Sequence, residues 1–149
     1  MCRVDALTGE KMITKVVWKD KMSFIGETET KHKILMDLPE EKGGENKGPK
    51  PGELVLVALG GCTGVDMVSI LEKMRAKLDG LEMVIKSESQ KDHPKVLKNI
   101  EIEYILKGEN LKEADVKKAI ELSLNKYCSV GATLAKCAEI SYRWKIING

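Results

Sequence analysis

The chain has 149 residues, 42% hydrophobic, 32% charged and 4% aromatic, the profile of one folded domain (1–149) with a core large enough to need neither a disulfide nor a metal staple. A formal charge of +2, with only three Arg among 25 basic residues, disfavours electrostatic capture of nucleic acid and bidentate phosphate recognition. From Met1 to Thr14 charged residues interrupt the apolar ones, so no signal-peptide core is expected.

In chain order, Met12 to Trp18 and Ser23 to Thr30 carry β-branched and aromatic residues around a polar Lys19-Asp20-Lys21 turn and read as a hairpin, with Lys31 to Asp37 as a third strand. Pro39 to Pro51 has glycine, proline and charge but no apolar residue, and is expected to be a loop, either a functional lid or a disordered connection. A first helix is expected from Pro51 to Leu78, stopped by Asp79-Gly80, with Glu53 near its positive end.

The apolar stretch Leu54 to Leu71 within that helix approaches membrane-spanning length, but it contains Asp66, Ser69 and three glycines. A central Asp alone costs about 2.5 to 3.5 kcal/mol on insertion. The expectation is therefore no membrane partner and a buried helix in a cytoplasmic protein whose thiols stay reduced. Leu54 to Leu59 is apolar on every side, implying burial all round. So small a protein has too little sheet to cover such a helix, which points to a second copy of the chain.

Leu81 to Ser89 and Asn99 to Leu106 read as the next strand pair, the second alternating Ile100, Ile102, Tyr104 and Leu106 against Glu101 and Glu103. Asn110 with Glu113 has the form of a capping box for a second helix, whose apolar stripe is Val116, Ala119, Ile120, Ser123 and Tyr127. A short turn over Ser129 to Lys136 and a strand from Glu139 to Ile147 complete the chain. The order βββαββα(α)β, with clustered strands, indicates an α+β fold with antiparallel sheet.

Cys2, Cys62, Cys128 and Cys137 include no C-x-x-C pair, and His32 and His93 have no H-x₃₋₅-H spacing, so no metal and no other cofactor is expected. No nucleotide-binding glycine loop or nucleophile elbow is present. Gly60, Gly61 and Gly64, each costing about 1 kcal/mol in a helix relative to Ala, imply either close approach of another helix or a pocket beside Cys62. Asp66 lies one turn on from Cys62 and would oppose a thiolate there, so a reactive Cys62 needs a cation or a hydrogen-bond donor beside it.

The segment Pro51-Gly-Glu-Leu-Val-Leu-Val-Ala-Leu-Gly-Gly-Cys62-Thr-Gly-Val-Asp66 resembles the central-helix motif of the OsmC/Ohr family, and Lys126-Tyr-Cys-Ser-Val130 resembles that family's second cysteine motif. The resemblance spans nearly the whole chain and is closest to the less characterised OsmC-like branch. It implies antiparallel sheets packed around two long central helices in an intertwined homodimer. It also implies a thiol peroxidase for hydrophobic organic hydroperoxides, regenerated by an external dithiol. Cys62 matches the peroxidatic cysteine and Cys128 the resolving cysteine, while Cys2 and Cys137 match nothing.

Two positions depart from the family's peroxidases. Their catalytic glutamate directly follows the helix-motif proline; that position here is Gly52, and Glu53 falls on a different helix face. Their arginine from the N-terminal β region has no counterpart, Arg3 matching no motif, which leaves Lys31 or Lys33 as substitutes. The alternative reading is a non-catalytic small-ligand-binding or redox-sensing protein with the same fold. Leu54, Leu56, Met67 and Leu71 are candidate pocket residues, with plain core or dimer interface as the other reading.

Overall fold

The structure, a computed structural model, describes residues 9–149, so Cys2 and Arg3 lie outside the described residues. The chain divides into two compact units, residues 1–54 and 55–149.

The first unit is a three-stranded antiparallel sheet of β1 (Thr14–Asp20), β2 (Ser23–Thr28) and β3 (Lys33–Met36), in that order. The register aligns Trp18 with Phe24 and Phe24 with Met36, while Val17, Ile25 and Leu35 align on the opposite face. Both faces are therefore apolar. The loop after β3 is ordered, not a disordered connection: the buried Asp37 carboxylate accepts the backbone N–H groups of Leu38, Glu45 and Lys47 at 2.8, 3.1 and 3.1 Å. These bonds, led by that of Lys47, hold the Asp37 carboxyl below its usual value.

The second unit carries a sheet ordered β4 (Lys77–Ser89), β5 (Leu97–Glu109), β6 (Glu139–Asn148). β4 pairs antiparallel to β5, but β6 runs parallel to it, so this sheet is mixed rather than purely antiparallel as expected. The helical stretch between β5 and β6 returns the chain to the end from which β5 set out, which makes the last strand parallel. Ile100, Ile102, Tyr104 and Leu106 of the central strand are buried, and Glu101 and Glu103 on its other face pair with Arg143 of β6 at 3.3 and 3.1 Å.

Helix α1 (Pro51–Lys73) passes from the first unit into the second. By length and composition it could cross a membrane. Here Leu59, Met67 and Leu71 instead join one core with β5 and with Val116, Ala119 and Ile120 of α2 (Glu113–Leu122). Two of the glycines admit a strand: a Cβ on Gly64 would lie 2.8 Å from Met83 Cε, and one on Gly60 would lie 3.0 Å from Ile85 Cδ1, both residues of β4. Gly61 faces outward with nothing within 4 Å.

Burial of α1 is one-sided, contrary to the expectation from its all-round hydrophobicity. Val57 and Val65 are 65% and 71% exposed, and with Gly61 and Val68 they form a continuous open stripe.

Three boundaries differ from the sequence reading. α1 stops at Lys73, before Asp79-Gly80, because Arg75 adopts φ +58°, with Arg75 N–H bonding Glu72 O at 2.9 Å and Ala76 N–H bonding Leu71 O at 3.0 Å. This is a Schellman ending with Arg where glycine is usual. It frees Lys77 to Gly80 to lengthen β4. Asn110 is a left-handed turn residue (φ +52°) rather than a helix cap, and Glu113, instead of reaching back to it, accepts the Trp144 indole N–H. Met67 and Leu71 are core residues, not pocket lining.

A non-glycine residue in the left-handed region costs roughly 1 kcal/mol, partly offset by glycine's larger unfolded-state entropy. Arg75→Gly is therefore expected to stabilise the protein by about 0.5 kcal/mol in urea unfolding. Destabilisation by the substitution would contradict this account of the helix end.

Candidate functional site

Cys62 projects from the middle of α1 and is partly exposed. Cys128 is 2% exposed and occupies the N-cap position of α3 (Ser129–Leu134). The segment joining α2 to Cys128, Ser123–Tyr127, is a π turn, closed by a 2.7 Å bond from Cys128 N–H to Ser123 O. That turn delivers Cys128 and Ser129 to α1. Ser129 Oγ lies 3.9 Å from Cys62 Sγ, and the Cys128 thiol is near enough to influence ionisation of Cys62.

The two thiols experience opposite electrostatics. Burial opposes ionisation of Cys62, but the Val130 N–H, the Cys128 thiol, and the hydroxyl and N–H of Ser129 outweigh it and hold the pKa below the ordinary 9.0. For Cys128, burial dominates; the Gly131 N–H donating to Sγ at 3.2 Å is too little to offset it, and negative charge on Cys62 and Asp66 adds to the rise, to about 11. Cys62 is thus the more acidic thiol of the pair, and Cys128 the one that holds its proton more tightly.

Gly131 belongs to this geometry. A Cβ there would stand 3.2 Å from Cys128 Sγ, so a side chain would crowd the thiol. Among the described residues, the groups that act on Cys62 come from Cys128 and the start of α3 rather than from a cationic side chain. Lys31, a candidate substitute for the missing arginine, lies 3.9 Å from Glu27 in the first unit, and Lys33 is on β3 of the same unit. Glu53 pairs with Lys50 at 3.2 Å and accepts its backbone N–H at 2.9 Å, which lowers its pKa; it closes the first turn of α1 locally.

Behind the thiols runs a chain of buried hydroxyls. Tyr104 OH is 2.8 Å from Thr63 Oγ1, Thr63 Oγ1 is 2.9 Å from Ser123 Oγ, and Ser123 Oγ donates to Asp66 Oδ2 at 2.8 Å. Burial pushes the Tyr104 phenol up to about 12. An apolar cleft of about 360 Å³, lined by Leu56, Val57, Gly60, Gly61, Met83 and Ile85, opens between α1 and β4 on the side of the helix away from Cys62. Leu56, a predicted pocket residue, is in it.

Residues 44–143 match the family model described as OsmC-like protein. The chain belongs to the OsmC-like family. It is 37% identical over 136 residues to Protein YhfA of Escherichia coli (strain K12), covering 91% of this chain and 98% of that protein. Among solved structures, a hypothetical protein from Aquifex aeolicus VF5 shares 29% identity with a TM-score of 0.83, covering 95% of this chain and 99% of that one. The same fold occurs in an organic hydroperoxide resistance protein OsmC from Legionella pneumophila, at 15% identity and TM-score 0.67, with 95% and 99% covered.

The opposed thiol electrostatics predict selective chemistry. In native reduced protein, iodoacetamide should label Cys62 with a pH midpoint below 9.0 and leave Cys128 unmodified until far higher pH. Ser129→Ala should move the Cys62 midpoint upward. Peptide mapping that found Cys128 labelled first would contradict the assignment.

Proposed function

We propose that this protein is a thiol peroxidase that reduces hydrophobic organic hydroperoxides in a reducing, cytoplasmic setting. The observation that carries the reading is a partly exposed Cys62, more acidic than an ordinary thiol and 3.9 Å from Ser129 Oγ, next to a buried Cys128 that holds its proton. The Cys62 thiolate attacks the distal oxygen of R–O–OH; the O–O bond breaks, Cys62 becomes a sulfenic acid, and the alkoxide leaves as the alcohol after gaining a proton. Cys128 then attacks the Cys62 sulfur. The S–S bond forms, the S–O bond breaks, and the hydroxide leaves as water with the proton of the Cys128 thiol. An external dithiol returns the disulfide to two thiols.

The reading includes a homodimer. The Val57–Gly61–Val65–Val68 stripe of α1 is open, and both faces of the first sheet carry exposed apolar residues, Trp18 at 63% among them. A second copy of the chain, laying its own α1 along this stripe, would bury it.

A second reading, a redox sensor or small-ligand protein without turnover, is favoured by Gly52 and by the lack of a motif-matched arginine. It keeps the thiol pair and predicts disulfide formation without sustained peroxide consumption.

In an assay coupled to dithiothreitol or dihydrolipoamide, Cys62→Ser should abolish reduction of cumene hydroperoxide. Cys128→Ser should allow one oxidation per chain with loss of dithiol-dependent turnover. Undiminished turnover by Cys62→Ser would refute the proposal. By sedimentation the native protein should have twice the 16.6 kDa chain mass, and Val65→Asp should shift it toward the monomer. A native monomer at micromolar concentration would exclude the homodimer.

A further inference from the structure

We propose that Asp66, acting through Ser123, is a positioning residue for closure of the Cys62–Cys128 disulfide. This rests on the reading of the two thiols as a reactive pair. The proton arrangement in the buried hydroxyl chain follows from counting. A carboxylate has no proton to give, so Ser123 spends its only one on Asp66 Oδ2. Ser123 must then accept from Thr63, and Thr63, its proton committed, must accept from Tyr104. Asp66 gives the whole chain a single direction.

Ser123 is also where the thiol-bearing segment begins. Its carbonyl receives the Cys128 N–H at 2.7 Å, closing the π turn, while its hydroxyl is held between Thr63 and Asp66 of α1. One residue therefore ties the backbone of Cys128 to the helix that carries Cys62, and Thr63 is the next residue along from that thiol. The tie restrains the π turn at the end opposite Cys128. Without the Asp66 acceptor, Ser123 can turn its proton toward Thr63, the direction of the chain is lost, and the turn is free to shift Cys128 relative to Cys62.

Asp66 is accessible to substitution without opening a core cavity. It is half-buried and lines an open pocket of about 310 Å³ that also contains Lys73, Lys118 and Tyr127. Asn in its place keeps a carbonyl oxygen able to accept from Ser123, whereas Ala does not.

The test separates the two chemical steps. Reduced protein is mixed with one equivalent of cumene hydroperoxide; dimedone trapping measures Cys62 sulfenic acid, and intact mass measures disulfide closure. Asp66→Ala and Ser123→Ala should form the sulfenic acid at least as fast as wild type but close the disulfide roughly tenfold to a hundredfold more slowly, the cost of a modest misplacement of a reacting group. Asp66→Asn should restore closure to near the wild-type rate. Wild-type closure in Asp66→Ala would overturn the proposal, and so would Asp66→Asn closing as slowly as Asp66→Ala, since charge and not the hydrogen bond would then be responsible. If Ser123→Ala does not fold by circular dichroism, the two Asp66 variants carry the test. If wild-type protein forms no sulfenic acid, the peroxidase reading fails separately. Closure is then driven by diamide, which takes two electrons and two protons from the thiols; the same order of rates supports the positioning role and equal rates overturn it.

Discussion

Thr63 is a fully buried hydroxyl in the middle of an apolar helix, and the second unit is organised around how it is satisfied. A buried hydroxyl without partners costs about 1–3 kcal/mol, so Thr63 dictates where its neighbours stand. Tyr104 of β5 and Ser123 of the π turn both reach it, binding the central strand and the turn to α1 through one oxygen. Glycines at 60 and 64 let β4 close on the same helix, and Leu59, Met67 and Leu71 fill the space between. Cys62 is adjacent to this junction in sequence, and Cys128 is connected to it through the backbone of Ser123. The two cysteines are therefore both anchored to one hydrogen-bonded seam.

The seam also explains how a thiolate is favoured without a salt bridge. Cys62 is stabilised by hydrogen bonds from the start of α3, and a donor fixed in the backbone need not be reorganised when charge develops on sulfur. Cys128, buried and facing two negative groups, keeps its proton and is equipped to give it away.

Much of this was legible in the sequence. Strand periodicity located the first three strands, the alternation in β5 identified its buried face, and the apolar run with Cys62 and Asp66 marked the central helix. The two cysteine motifs named the family. What escaped was set by tertiary contacts. Arg75 in a left-handed conformation ends α1, a position where sequence gives no glycine to signal it. Asn110 and Glu113 match a capping box, but Glu113 is drawn to Trp144 instead. Ser129 and Val130 lay inside a quoted motif, yet their action on Cys62 depends on how a π turn folds back across the helix. Ser123 read as one more residue of an apolar stripe; a polar residue on the buried face was the available signal for its pairing with Thr63.

The central claim is that Cys62 and Cys128 form one peroxide-reactive unit. Peptide mapping of fully reduced protein after brief exposure to one equivalent of an organic hydroperoxide, beside an identical hydrogen peroxide sample, tests it most directly. A Cys62–Cys128 disulfide forming rapidly and preferentially with the organic oxidant is the predicted result. Both thiols remaining reduced would contradict it.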